Sequence, residues 1–297
     1  MIRSYVLPAI GASQLKKVRP ETIACLYATT LKSGARRCRR GLSAKSIGLL
    51  HRVLSRALHQ AVRWKLLASN PAADATPPRV ERRAMTVPGV SAALDLVEAA
   101  RGTDLFAPVL IASMTGLRRS EALALRWEAI DLDAGELEVK ASIEQVGTAT
   151  REKPPKSERG RSVTLPALLI DELRRYRIQQ AEELLRLGVR QGEATYVCIR
   201  ADGAPWRPSV FTQAFVRFLR AHKRPHMRFH DLRHAHATHM LDANVHPKIV
   251  QERLGHSSIS LTLDLYSHTT PGMQEKAAAS IDSMMRAARS KGAKGKA

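Results

Sequence analysis

Apolar positions recur at helical spacing in the first quarter of the chain. Ile23, Leu26, Tyr27 and Leu31 follow Pro20, a residue suited to a first helical turn, and Gly34 stops the run. Ser43 is placed to cap a second helix whose apolar stripe is Ile47, Leu50, Leu54, Leu58, Ala61 and Val62. The pattern breaks over 70–84, where Pro71, Pro77 and Pro78 bar regular structure, and this stretch reads as an interdomain linker. Beyond it the periods mix. Helical spacing marks 94–100, 108–115, 118–127, 167–186, 209–221, 231–243, 247–254 and a short helix near 257–268. Alternation marks 137–145 and 161–165 as the strands of one hairpin, joined by a long, polar, flexible connection. The pattern predicts an all-α N-terminal domain and a mixed α+β, mainly helical second domain with a small antiparallel sheet.

Charge sharpens that division. The 297 residues hold 48 Lys and Arg against 27 Asp and Glu, a net +21. Residues 1–80 hold 15 of the bases and only two acids, Glu21 and Asp74, so most of the excess sits in the helical first quarter. Such a balance calls for a polyanion, either nucleic acid or an anionic membrane surface. No apolar run approaches the ~18–20 residues of a membrane span, and MIRSYVLPAIGASQ lacks the apolar core of a signal peptide. Cys25, Cys38 and Cys198 lie far apart with no C-x-x-C, which excludes a disulfide scaffold or zinc ribbon and fits a reducing cytoplasm. On the second helix, Lys45, Arg52, Arg56, Arg63 and Lys65 occupy the faces away from the apolar stripe, with no acid between 43 and 67. Solvated faces usually mix signs. A helix buried on one side and cationic on the other suits a phosphate backbone.

Four islands in the second domain could carry chemistry. In Thr115-Gly116-Leu117-Arg118-Arg119-Ser120-Glu121 a glycine-broken turn delivers Arg118 to a helix start, and Glu121 stands three residues on to steady its guanidinium. The loop Lys153-Pro154-Pro155-Lys156-Ser157-Glu158-Arg159-Gly160-Arg161 carries a lysine able to give a proton to a leaving alkoxide. In His230-Asp231-Leu232-Arg233-His234, His230 and Arg233 share a helix face and could hold the oxygens of a phosphate. The rival for this helix is a metal, since His230 and His234 stand at i and i+4, but the glutamate of H-E-x-x-H is missing. The fourth island is Leu254-Gly255-His256-Ser257-Ser258, followed by Tyr266, one of five tyrosines. Each has a plain alternative: a surface ion pair, a solvated loop, packing histidines, a half-buried tyrosine. Together, two arginines, a lysine, two histidines and a tyrosine make a cationic pocket with one latent nucleophile. That set meets the needs of metal-free phosphodiester transesterification.

The segments TGLRRSEALALRW, PKSERGRSV, HDLRHAHATHML and LGHSSISLTLDLYSH, in this order, resemble the tyrosine recombinase (phage integrase) family. The resemblance implies a catalytic domain over 84–290, related to type IB topoisomerases, and a basic tail over 291–297. It implies a catalytic set of Arg118, Lys156, His230, Arg233, His256 and Tyr266, supported by Glu121. Tyr266 attacks a strand to form a 3′-phosphotyrosyl link, Arg118 and Arg233 clamp the phosphate, and Lys156 protonates the 5′-oxygen, with Lys153 the competing lysine. His230 assists the tyrosine's proton, and His256 donates a hydrogen bond to a phosphate oxygen. Bond energy is conserved, so neither a cofactor nor a metal is called for. Residues 1–80, through YVLPAIG and GLSAKSIGLLHRVLSRALHQAVRW, resemble the family's helical, SAM-like core-binding domain. Measured against it, the chain starts inside the first helix, so the domain reads as truncated at its N-terminus. Lys45, Arg52, Arg56, Arg63 and Arg159 become the candidate DNA contacts. The implied partners are double-stranded DNA, further copies in a homotetramer on that DNA, and a DNA-bending protein or an excisionase. The implied setting is the bacterial cytoplasm, with no membrane. The helical pattern over 273–288 is either folded on its own domain or donated to a neighbouring protomer. The implied function is site-specific recombination that integrates or excises a phage or mobile element. The alternative is a non-catalytic DNA-binding relic.

Overall fold

The computed structural model describes residues 1–33, 41–80, 88–154, 160–266, 278–279 and 281–286, with only the backbone of Leu261, Asp264, Leu265 and Tyr266. The chain divides into two units, Met1–Ala84 and Met85–Ala297.

Among the described residues the first unit forms helices only. A short π-turn leads into α1 (Leu7–Ile10), followed by α2 (Pro20–Ser33) and α3 (Ala44–Arg63). The Ser43 hydroxyl accepts the Ser46 N–H at 3.2 Å, so α3 starts at its expected cap. Ile47, Leu50, Leu54, Leu58 and Ala61 are buried along one face, and the first four pack in one core with Ile23, Leu26 and Tyr27 of α2. Two expectations fail here. Leu31 is exposed and Thr30 takes the buried place, because the buried face runs 23, 26, 27, 30 at regular helical spacing and Leu31 falls beside it. The start of the supposed linker belongs to this core. Asn70 donates its amide to the Ser55 carbonyl at 3.1 Å, and Ala72 and Ala75 are buried.

The second unit is built around α5 (Phe106–Thr115), whose residues are buried on nearly every side. On it pack α4 (Val90–Ala100), α6 (Arg119–Ala122), α7 (Ala167–Arg186) and α9 (Phe229–Asp242), and the unit also contains α8 (Pro208–Ala221), α10 (Pro247–Leu254) and α11 (Ile259–Tyr266), the last two packed on α9. Trp127, Leu137, Val163, Phe211, Phe215 and Phe229 fill the core beside it. Val250 and Leu254 of α10 are fully buried against Ala237 and Leu241 of α9, which stabilises the docking of α10 by about 1.5–3 kcal/mol per side chain.

The strands correct the single-hairpin expectation. β1 (Ile130–Asp131), β2 (Glu136–Val139) and β5 (Arg161–Thr164) form one antiparallel sheet in the order β1-β2-β5, with Val139 opposite Arg161. β3 (Ser142–Val146) and β4 (Ala149–Lys153) form a separate hairpin with Ser142 opposite Lys153. The alternating run over 137–145 therefore changes sheets at Lys140–Ala141, and the first part of the expected flexible connection is strand β4. The expected helix over 118–127 is also shorter. It ends after α6, because the apolar side chains Leu123, Ala124, Leu125 and Trp127 are all buried, more than one helical face can hide. No helix among the described residues is long and apolar enough to cross a membrane.

Candidate active site

α5 ends at Gly116, whose φ of +69° is left-handed. A Cβ there would lie 2.5 Å from Leu254 Cδ2 and 2.8 Å from His236 Cδ2, so both conformation and close packing demand glycine. The chain emerges through buried Leu117 and presents Arg118 as the N-cap of α6. Glu121 closes that cap. Its carboxylate accepts the Arg118 backbone N–H at 2.9 Å and the Arg118 guanidinium at 2.7 Å.

Glu121 is only 4% exposed and serves two arginines. Arg161 at the start of β5 grips the same carboxylate with both terminal nitrogens, at 2.7 and 3.1 Å. Burial alone would raise the Glu121 carboxyl. The Arg161 and Arg118 guanidiniums and the Arg118 N–H overcome it and hold the group down at about 2. The motifs point to Arg118 and Arg233 and pass over Arg161, although alternation was the available signal. In RSVTL, Arg161 shares a strand face with buried Val163 and so points inward.

Three guanidiniums end on three successive carbonyls at the C-terminus of α10. Arg161 donates to Arg253 O at 2.9 Å, Arg233 to Leu254 O at 2.7 Å and Arg118 to Gly255 O at 2.7 Å. A helix C-terminus carries unpaired carbonyls and partial negative charge, which together with the Glu121 carboxylate lets the like-charged side chains gather. Arg233 is 2% exposed and also donates to Gly116 O at 2.8 Å, tying α9 to the turn before Arg118. Burial and the Arg118 charge push Arg233 down to about 9, which leaves it charged at neutral pH. Gly255 is left-handed at φ +66°, and a Cβ there would lie 3.0 Å from the nearest guanidinium nitrogen of Arg161. The turn it makes delivers His256.

His230 stands in the first turn of α9, which begins two residues earlier than expected, at Phe229. Its ring meets His234 edge-on at 4.7 Å between centroids. Partial desolvation and the charges of Arg233, Arg228 and Arg118 push His230 down to about 4. His256 is half-buried and pushed down to about 4 by desolvation, Arg233 and Arg118. Both imidazoles are neutral at pH 7. The Nδ1 atom of His256 lies 2.9 Å from the Thr262 hydroxyl of α11. His236 and His239 serve packing. His236 bonds the Ser113 carbonyl and receives Arg253, and His239 meets the Pro88 carbonyl. Among the described residues no group of three or more His, Cys, Asp or Glu converges as metal ligands.

Arg118, His230, Arg233, His256 and Glu121 thus meet around the ends of α9 and α10. Lys156 and Arg159 lie outside the described residues, as does half of 273–288. Tyr266 closes α11, which packs on α9 and α10, with only its backbone described. Lys153 is bound to Glu144 at 2.6 Å and lines an open groove that reaches Arg118 and Arg119. In the first unit Lys45, Arg52, Arg56 and Arg63 are exposed along α3, yet that surface is not purely cationic, since Leu49 and Val53 are exposed beside them. Ile281, Met284 and Met285 are exposed on the helical segment 281–286.

The profile of the phage integrase family matches residues 89–273. A XerC-like tyrosine recombinase of Caldanaerobacter subterraneus subsp. tengcongensis is 31% identical over 263 residues, 82% of this chain and 67% of that protein. The ICEBs1 integrase of Bacillus subtilis is 28% identical over 248 residues, covering 82% of this chain and 67% of its own length. In fold, the chain is similar to the Tn1549 transposon integrase in complex with a circular intermediate DNA, with a TM-score of 0.76 at 19% identity over 95% of this chain and 90% of that one. It is also similar to lambda integrase, solved as a tetramer on a Holliday junction, with a TM-score of 0.60 at 19% identity over 88% of this chain and 68% of that one.

Proposed function

This chain belongs to the phage integrase family, and from that premise we propose how its own residues perform the reaction. The protein is a site-specific tyrosine recombinase that breaks and rejoins DNA strands during recombination of mobile elements. Tyr266 is the nucleophile. Its phenol oxygen attacks the scissile phosphorus, the bond to the 5′-oxygen breaks, and a 3′-phosphotyrosyl link forms. Neutral His230 takes up the phenolic proton, and Lys156 gives one to the departing 5′-oxygen. In the second half-reaction a 5′-hydroxyl from the partner duplex attacks the link and restores Tyr266. One phosphodiester is exchanged for another, so the cycle needs no external energy source.

The observation that carries this reading is the assembly of Arg118 and Arg233 on the α10 carbonyls beside two neutral imidazoles. Each guanidinium is anchored through part of its donor set and keeps N–H groups for an anion. Anchored donors need no reorganisation as negative charge builds on phosphorus, usually the largest single catalytic contribution. The binding of Lys153 to Glu144 favours Lys156 as the proton donor. Residues 1–80 act as the core-binding, SAM-like domain. Lys45, Arg52, Arg56 and Arg63 contact phosphates, and Arg159 follows the strand near the cut. The working assembly is a homotetramer on double-stranded DNA in the bacterial cytoplasm, with the helix over 273–288 seated on a neighbour and with DNA-bending or excision factors as accessories.

The test is a suicide duplex, nicked beside the cleavage position and cut from the DNA flanking the gene. Wild-type protein should accumulate a covalent adduct that is absent in Tyr266→Phe. An adduct that persists in that variant would overturn the assignment.

A further inference from the structure

Threonines inside helices usually send their hydroxyl proton back to the carbonyl one turn earlier. In this protein Thr30 donates to Leu26 O at 2.7 Å, Thr115 to Ile111 O at 2.6 Å and Thr212 to Pro208 O at 2.9 Å. Two buried helical threonines depart from the pattern: the Thr238 hydroxyl of α9 has no partner among the described residues, whereas Thr262 bonds across a turn. Thr262 lies in α11 with 0% exposure, and among the described residues the one hydrogen bond of its side chain joins the hydroxyl to His256 Nδ1 at 2.9 Å. A hydroxyl carries one proton, and a buried donor left unmet costs about 1–3 kcal/mol. With no carbonyl receiving it, that proton is directed at the imidazole.

A proton arriving at Nδ1 requires a lone pair there. His256 is neutral at pH 7, pushed down to about 4 by burial and by the charges of Arg233 and Arg118. A neutral imidazole has one ring proton, and with Nδ1 accepting, that proton belongs to Nε2. The Nε2 atom has no protein partner among the described residues. The opposite tautomer would leave a lone pair on Nε2, which repels a phosphate oxygen instead of holding it. Thr262 also stands one helical turn before Tyr266, so the same bond fixes the rotation of α11 against the turn that carries His256.

We propose that Thr262 is a positioning residue for strand cleavage: its buried hydroxyl donates to His256 Nδ1, locks the imidazole as the Nε2–H tautomer, and so makes His256 a hydrogen-bond donor to the scissile phosphate. This rests on the reading of His256 as part of the catalytic pocket.

The experiment has two readouts. Long-range proton–nitrogen NMR of the ¹⁵N-labelled full chain, with the ring assigned by loss in His256→Ala, reports the tautomer without DNA. Single-turnover cleavage of the nicked flanking duplex reports rate. Wild-type protein should show Nε2–H. Thr262→Val keeps the shape and should give a mixed or Nδ1–H ring. Its cleavage should slow about 10- to 100-fold, the size of effect met when a partner that orients a metal-ligating histidine is lost, with duplex affinity unchanged. Thr262→Ser should restore both readouts. An Nδ1–H ring in the wild type, or a Thr262→Val variant with wild-type tautomer and rate, overturns the proposal. If His256→Ala itself cleaves at the wild-type rate, the pocket reading has failed and this proposal falls with it.

Discussion

The protein uses arginine in two opposite ways. On α3 of the first unit, Arg52, Arg56 and Arg63 stand in water with Lys45. In the second unit, Arg233 is sealed in, Arg161 is mostly covered, and Arg118 is anchored through Glu121 and a main-chain oxygen. The exposed set costs little to build and can meet a phosphate only by losing motion on contact. The anchored set carries a large desolvation cost, offset by fixed acceptors, and meets its ligand already oriented. The first arrangement gives attraction that salt weakens. The second gives geometry that salt leaves alone.

The sharpest way to break the contrast is at Glu121. Glu121→Gln removes the one charge shared by Arg118 and Arg161 inside the protein, and should cost about 3–5 kcal/mol in denaturant unfolding. It should also change the acid limb. The Glu121 carboxyl is depressed to about 2, so its stabilisation is complete above the unfolded carboxyl range and is lost as pH falls through about 2. Glu121→Gln should flatten the loss of stability over that window in a pH series of melts.

Arg233→Lys should come next. A single ammonium cannot span Gly116 O and Leu254 O while still facing a phosphate. Single-turnover cleavage should fall about 10²- to 10³-fold, with duplex affinity at fixed salt changed only a few-fold. A comparable drop in affinity would show that the anchored set works mainly by attraction.

The converse test replaces Lys45, Arg52, Arg56 and Arg63 by Ala. Affinity should fall, and the slope of log affinity against log salt should become shallower by about 0.9 for each phosphate no longer neutralised. Cleavage of duplex already bound at saturating protein should be unchanged. A lower rate at saturation would mean that α3 also shapes the reacting geometry.

A smaller effect concerns a packing histidine. Burial and the Arg253 charge push His236 down to about 4. An unfolded imidazole takes its proton first as pH falls below about 6.5, so stability drops between there and about pH 4. His236→Phe should lessen that drop in melts across the range. Smallest of all, Ser43→Ala should lower the stability of the first unit by about 1 kcal/mol through loss of the α3 cap.

What could be read in the sequence depended on how local the cause was. α7 and α10 fall on their expected bounds, because period, a preceding or first-turn proline and a terminating residue all lie within the element. The break between β2 and β3 was hidden. The alternation in LEVKASIEQ continues through Lys140 and Ala141, although hydrogen bonding there passes from β5 to β4. Arg118 and Glu121 were legible as an i, i+3 pair. The second grip on Glu121 comes from Arg161, forty positions away, and only tertiary folding brings it there. Thr262 carried no signal, since nothing local distinguishes a hydroxyl that bonds backward from one that bonds across a turn.

The triple anchor at 253–255 consists entirely of peptide oxygens. Substitutions of Arg253 or Leu254 alter side chains but leave those oxygens in place, so long as the helix still stops at the same residue. The invariant that holds the guanidiniums is therefore where α10 unwinds, and lengthening it by a single residue would misalign all three at once.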